Sequence, residues 1–518
     1  MYDTKSEQRR VPGGARVAVL ALAAGWMASA AHAALSLGAP FGDGVVLQRD
    51  QPVPVWGWTD PGQTVAVELA GRTQSVRADT SGRWRVTLPA IDAGGPYELT
   101  VRGPDEIRVK DVLVGEVWVC SGQSNMDMTL NAVENATQEV AAANYPRMRS
   151  LRMPVRGSGL LQERLDQRPA WQACTPQTAG GLSAVAYFFG RELHQKLEVP
   201  IGLIVIATGA TPIELWVPRE GLALTPELAE WSDAARQVDQ QYRQEVADHR
   251  RALAAWEAVG KAAGQTAPVE PVHPYLAKDN DRRGLGTFFN GAVGPVVGYG
   301  IRGMIWYQGE SNRGDSSQAY FAFHKALLRG WRQVWDQGEF PFYYVQISAL
   351  DSWRPNWQIP EIWEGQTMVL QLPNTGMAVI HDLCTDLKNI HPTNKTGVGQ
   401  RLALWALART YGRPNLPYSG PIYKSHEIDG RRVRIRFDYA FGGLRSRDGR
   451  PLNWFTIAGA DGEFVPAQAQ VDGDSVLVWS DKVEKPMAVR FAWDETAQPN
   501  LVNGAGLPAG PFRTNRPW

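Results

Sequence analysis

The stretch Val112-Leu113-Val114-Gly115-Glu116-Val117-Trp118-Val119-Cys120-Ser121-Gly122-Gln123-Ser124-Asn125-Met126 decides the fold. Its first nine residues are mostly apolar without alternation, the pattern of a strand buried on both faces of a parallel sheet. The run ends in a Gly-containing turn that carries a serine. Four later runs share this character, at residues 201–208, 301–307, 342–347 and 377–380. Helical patterns separate or follow them at 185–197, 318–334 and 396–411. This alternation predicts a three-layer α/β/α domain built on a five-stranded parallel sheet.

On either side of this core, residues 111–412, the period changes to short alternating runs between turns. Residues 34–110 carry such runs at 53–56, 64–69, 83–88 and 97–101, separated by Asp60-Pro61-Gly62, Ser81-Gly82 and Gly94-Gly95-Pro96. Residues 413–518 repeat the habit at 432–439, 454–457, 475–479 and 488–493. Both flanks are expected to be small β-sandwich-like domains. Within the core, about residues 222–275 form a charged, Ala-rich helical insertion closed by Pro268, Pro271 and Pro274, a surface spacer or a lid.

The first 33 residues read as a leader rather than as fold. Arg9, Arg10 and Arg16 precede an apolar run at 17–27, and Ala31-His32-Ala33 supplies a small-x-small cleavage site. Eleven apolar residues are too few to span a bilayer, which needs about 20. A secreted or periplasmic protein is therefore expected. Of the 518 residues, 53 are Lys or Arg and 53 Asp or Glu. Four basic groups (Lys5, Arg9, Arg10, Arg16) and two acidic ones (Asp3, Glu7) leave with the leader, so the remaining 485 residues carry a net charge of −2. That balance provides no broad basic field for nucleic acid or anionic membrane. Three Cys (Cys120, Cys174, Cys384) permit one disulfide at most, so the fold must rest on its core.

Open parallel sheets present ligand sites at the carboxyl ends of their strands. The first run ends in Gly122-Gln123-Ser124-Asn125-Met126, the second in Thr208-Gly209-Ala210-Thr211, and the third in Trp306-Tyr307-Gln308-Gly309-Glu310-Ser311-Asn312. Beyond the fifth comes His391-Pro392-Thr393-Asn394-Lys395, at the mouth of an amphipathic helix. A serine nucleophile needs a base within hydrogen-bond reach and donors aimed at the developing oxyanion. Ser124 is the candidate nucleophile and His391 the base. Candidate oxyanion donors are the Ser124 and Gly209 amides and the side chain of Gln308 or Asn312. Each signal alone is weak, since Ser124 also reads as a turn serine and His391 as a helix cap. Four at successive strand ends reinforce one another. Of the eight His, only His381, also at a strand end, rivals His391.

These motifs resemble those of the sialate O-acetylesterase family of SGNH-type (GDSL-like) hydrolases, whose fold is a flavodoxin-like α/β/α sandwich. The family's Gly-Gln-Ser-Asn-Met, Trp-Gly-Gly-Thr-Pro-Ile-Glu, Trp-Tyr-Gln-Gly-Glu-Ser-Asn and His-Pro-x-Asn-Lys segments correspond here to the stretches beginning at Gly122, Thr208, Trp306 and His391. The likeness runs through to the ending Gly506-Leu507-Pro508-Ala509-Gly510-Pro511-Phe512-Arg513-Thr514. It implies that Ser124 is acylated, that His391 shuttles the proton, and that acetyl groups are removed from sugar hydroxyls without a metal or organic cofactor. Two departures stand out. Thr208 and Ala210 replace Trp and the second Gly of the family segment. Related hydrolases also place an Asp two or three residues before the His, where this chain has Asn389 and Lys388. Asp386 is the first choice for the third member of the triad. Asp382, a backbone carbonyl or Asn389 are the alternatives. Glu310 reads as a brace for the site loops.

The 20 Trp exceed the 15 Tyr and the 15 Phe. Trp353, Trp357 and Trp363, with Trp216 and Trp306 at other strand ends, suit the apolar faces of sugar rings or pack a core. Gln123, Asn125, Trp306, Glu310, Trp353 and Trp357 are the expected substrate contacts. The expected partner is an O-acetylated saccharide, sialate or a plant polysaccharide such as xylan or xyloglucan. A non-catalytic carbohydrate-binding protein on a hydrolase scaffold is the competing reading.

Overall fold

The computed structural model describes residues 34–277, 284–351 and 358–515. The leader and the segment bearing Trp353 and Trp357 lie outside the described residues. The central sheet contains β1 (Glu106–Gly122), β2 (Tyr145–Arg152), β3 (Trp171–Cys174), β4 (Ile201–Ala207), β5 (Gly303–Tyr307), β6 (Phe342–Gln346) and β7 (Thr375–Val379), in the spatial order β3-β2-β4-β1-β5-β6-β7. All neighbours are parallel except the β2–β3 edge pair.

The five expected strands are all present, but five is not the count: β2 makes a sixth parallel strand and β3 an antiparallel edge. Arginines in Tyr-Pro-Arg-Met-Arg-Ser-Leu-Arg disguise β2 as surface. Met148 and Leu151 are nevertheless buried. Arg149 is buried as well, donating to the Asp111 carbonyl at 2.6 Å and pairing with its carboxylate at 2.8 Å.

Helices α1 (Ala184–Leu197) and α5 (Lys395–Trp405) cover one face of the sheet, and α3 (Ser317–Trp335) and α4 (Ile359–Met368) the other. Adjacent residues of β6 reveal both layers, as the period of two requires. Tyr343 packs between Trp118 (5.9 Å between ring centroids) and Trp405 of α5 (6.1 Å), whereas Tyr344 meets His324 of α3 at 5.1 Å. Trp84, Trp118, Trp216, Trp306, Trp331, Trp335 and Trp363 are fully buried, so much of the Trp surplus fills the interior. The three cysteines are buried and free.

β1 is shared between two parts of the chain. Its first half pairs with Val46–Gln48 and Gly94–Arg102, its second half with β4 and β5. Glu116 sits at the changeover, fully buried, accepting from Arg49 Nε (2.5 Å), Arg302 Nε (2.7 Å) and Gln48 Nε2 (3.1 Å). Glu116→Ala would strand two guanidiniums and is expected to cost about 3 kcal/mol. An unchanged denaturation midpoint would contradict that role.

Helix α2 (Ala229–Ala255) lies in the insertion and buries only Ala235; the Arg219–Asp239 pair at 2.9 Å ties it down. After α5 the chain forms antiparallel sheets with a core of their own, including Val433, Ile435, Phe455 and Ile457. Arg513, from the strand Phe512–Arg513, reaches the Glu364 carboxylate of α4 at 2.8 Å and fastens these sheets to the α/β core.

Candidate active site

The turn after β1 is dictated by Gly122. Its φ is 141°, and a Cβ there would lie 2.1 Å from the Tyr307 carbonyl oxygen of β5. The Gln123 amide then donates to that same carbonyl at 3.0 Å. The chain is thus pressed against the neighbouring strand and re-emerges as the short helix Ser124–Asp127, with Ser124 as its first residue. Ser124 Oγ lies 2.8 Å from His391 Nε2. The two residues are 267 positions apart in sequence, so the fold rather than local order creates the pair.

His391 stands in the connection from β7 to α5, its amide donating to Asn389 Oδ1 at 2.9 Å. Burial, and next the charge of Lys395, hold the imidazole below its ordinary 6.5. The neutral ring, the form that accepts a proton from serine, therefore persists to lower pH than in a free histidine.

Gly209 comes to the nucleophile from the end of β4, where an added Cβ would sit 3.4 Å from Ser124 Cβ. Among the described residues no acceptor takes the Ser124 or Gly209 amide hydrogen. The next residue, Ala210, has φ of 57°, a left-handed conformation that costs an L-residue about 1–2 kcal/mol. The family's second Gly would adopt it freely.

The two side-chain oxyanion candidates are differently employed. Gln308 Nε2 donates to the Thr211 carbonyl (3.1 Å) and Asn312 Oδ1 (2.7 Å), while Gln308 Oε1 accepts from the Tyr320 hydroxyl. Asn312 Nδ2 donates to Glu214 (3.0 Å) and Asp315 (2.8 Å), and its Oδ1 also takes the Ile213 amide. Their amide hydrogens are spent on the segment that follows Gly209, through Thr211 and Glu214, and on the turn from Asn312 to Asp315.

Asp386 is not brought to the imidazole. It is exposed, and its carboxylate accepts the Lys388 amide at 2.9 Å in a local turn. Asp382 is committed to Arg401 through bonds of 2.6 and 2.7 Å. Among the described residues, no carboxylate is hydrogen-bonded to His391. Asp386→Asn is accordingly expected to change kcat less than about threefold, well short of the roughly 10⁴-fold loss on removal of a triad acid; steady-state kinetics on an aryl acetate decides. The rival His381 is fully buried against Trp363 at 4.5 Å and pushed down to about 4 by burial.

Of the expected substrate contacts, Gln123, Asn125 and Glu310 lie beside the pair but are buried, and Trp306 is wholly interior, edge-on to Trp216 at 5.9 Å. Lys395, in sequence merely the last residue of a motif, is fully buried with its Nζ 2.5 Å from Asn125 Oδ1. A lysine opening an otherwise apolar helix face is the signal that marks it.

A serine hydroxyl bonded to a half-buried imidazole, beside two uncommitted amides at the ends of parallel strands, is the equipment of an ester hydrolase. Comparison with known proteins agrees. The family model described as carbohydrate esterase, sialic acid-specific acetylesterase, matches residues 114–259 and 292–408. The sialate O-acetylesterase of Pongo abelii is 30% identical over 512 residues, covering 90% of each chain, and that of Homo sapiens is 29% identical over 513 residues, again covering 90% of each. The crystal structure of a carbohydrate acetylesterase from Xanthomonas citri superposes with a TM-score of 0.79 at 36% identity, covering 93% of this chain and all of that one. The chain belongs to the sialic acid-specific acetylesterase family of carbohydrate esterases and is an esterase.

Proposed function

We propose that the protein is a secreted carbohydrate O-acetylesterase of SGNH type that works with a Ser124–His391 dyad. The observation carrying this is the 2.8 Å contact from Ser124 Oγ to His391 Nε2, with Gly209 against the nucleophile. Ser124 Oγ attacks the acetyl carbonyl as His391 Nε2 takes its proton. The carbonyl oxygen, now negative, is met by the Ser124 and Gly209 amides. Collapse breaks the bond to the sugar oxygen, which leaves with the proton from His391, and the acetyl group stays on Ser124. Water, deprotonated by His391, then attacks the acyl carbon; acetate departs and the serine is restored.

Beyond the carboxyl end of β2 a cleft of about 860 Å³, lined by neither Ser124 nor His391, is a candidate seat for an acidic sugar. It is lined by Arg152, Arg156, Arg164 and Arg168 against a single Asp166. Arg152 also pairs with Asp127, three residues after the nucleophile. Arg164 lies over the Trp58 ring and Arg168 donates to the Phe41 carbonyl, so a sugar carboxylate would be met by Arg156 and, in competition with Asp127, by Arg152. Secretion rests on the leader pattern of residues 1–33. No helix among the described residues is long and apolar enough to cross a membrane.

Acetate release measured in parallel from O-acetylated sialic acid, xylan and xyloglucan tests the assignment. Release from O-acetylated sialic acid well above the two neutral polymers is expected. Preference for xylan or xyloglucan would move the substrate to plant polysaccharide. Sugar binding without turnover of any acetate, aryl acetate included, would leave only a binding protein.

A further inference from the structure

The dyad has an unusual neighbour. Asn125, next in sequence to the nucleophile and fully buried, uses its whole amide group: Nδ2 donates to Glu310 Oε1 (2.5 Å) and to the Ile390 carbonyl (3.0 Å), and Oδ1 receives Lys395 Nζ (2.5 Å). Ile390 immediately precedes the base. One amide therefore ties the helix of Ser124 to the loop of His391, and a buried lysine and a buried glutamate hold that amide from opposite sides. Lys395 also lies over the Tyr307 ring, 4.9 Å from its centre.

We propose that Lys395, acting through Asn125 with Glu310 behind it, is the positioning residue that fixes His391 in the place where related hydrolases use a carboxylate. The proposal rests on Ser124 and His391 acting as a dyad. Its electrostatic consequence is opposite in sign to that of an aspartate. An acid beside the base stabilises imidazolium; an ammonium disfavours it, so the neutral base survives further into acid. Burial lowers Lys395 itself to about 7, and Glu310 opposes that shift by favouring the ammonium. Of the other charged groups on the packed elements, Glu310 from the end of β5 reaches the site through Asn125, Glu134 accepts from Thr393 Oγ1, and Asp386 is turned to the Lys388 amide. Burial raises Glu310, which weakens its offset of the lysine charge. Besides burial, Lys395 is the group that moves the imidazole.

The test is the pH dependence of kcat/KM on an aryl acetate, for the wild type, Lys395→Met and Asn125→Ser, with folding checked by circular dichroism. Lys395→Met is expected to lower the plateau by up to about 10²-fold through misplacement of the base and to shift the acidic limb upward. Asn125→Ser keeps the charge and is expected to lower the plateau while leaving the limb in place. A folded Lys395→Met whose limb stays where the wild type has it overturns the proposal. Should that variant fail to fold, Lys395→Gln takes its place, removing the charge while keeping a donor for Asn125: an acidic limb moved upward from the wild type supports the lysine's influence, and an unmoved limb refutes it. Absence of turnover in the wild type would instead remove the esterase reading, a separate failure.

Discussion

Ser124→Ala is expected to abolish acetate release, lowering kcat by a factor on the order of 10⁵–10⁶, the scale seen when a serine hydrolase loses its nucleophile. Among the described residues the hydroxyl makes one hydrogen bond, to His391, and no other group depends on it for satisfaction. Its removal therefore leaves the Asn125, Glu310 and Lys395 contacts intact, and the denaturation curve is expected to superpose on that of the wild type. Turnover within tenfold of the wild type, in a protein shown by mass to carry alanine, would remove Ser124 from the chemistry.

The second large effect is expected at Gly122. Alanine there meets two independent objections: a φ of 141°, which L-residues rarely adopt, and a Cβ placed 2.1 Å from the Tyr307 carbonyl oxygen. The obstacle is backbone of the adjacent strand, so no side chain can swing aside. Either β1 and β5 separate, breaking the Gln123 amide bond to Tyr307, or the serine turn is redirected. Gly122→Ala should lose more than about 3 kcal/mol of stability, and any folded fraction should turn over at least about 10²-fold more slowly, since an ångström of misplacement costs that much. Denaturant unfolding and kinetics on the same preparation measure both. Wild-type behaviour in each would contradict the claim that this turn sets the nucleophile.

Much of the site is legible in the sequence because its chemistry sits at strand ends, and buried parallel strands announce themselves as apolar runs. Ser124, Gly209 and His391 are recognisable because each stands beyond the carboxyl end of such a run. β2 escapes the same reading because Arg149, a buried cation paired with Asp111, interrupts the apolar signal. Gln308 and Asn312 have suitable chemistry, but whether their amide hydrogens are free depends on Thr211, Glu214 and Asp315, whose approach only tertiary structure determines. Asp386 is near His391 in sequence and turned toward Lys388 in space, a distinction set by one local turn. The tryptophans suggest sugar platforms, yet an aromatic suited to a pyranose face is equally suited to a core. Trp306 and Trp363 take the core.

Whether Ser124 carries the acetyl group is decided by a rapid acid quench of the enzyme during turnover of an acetylated substrate, followed by peptide mapping. One acetyl group is expected on the peptide containing Ser124, absent in Ser124→Ala. It should accumulate when His391 is replaced by a residue unable to activate water but the serine is driven with an activated aryl acetate. Full turnover by Ser124→Ala, or an acetyl group carried on any other residue at a competent rate, would contradict a serine-acylating mechanism.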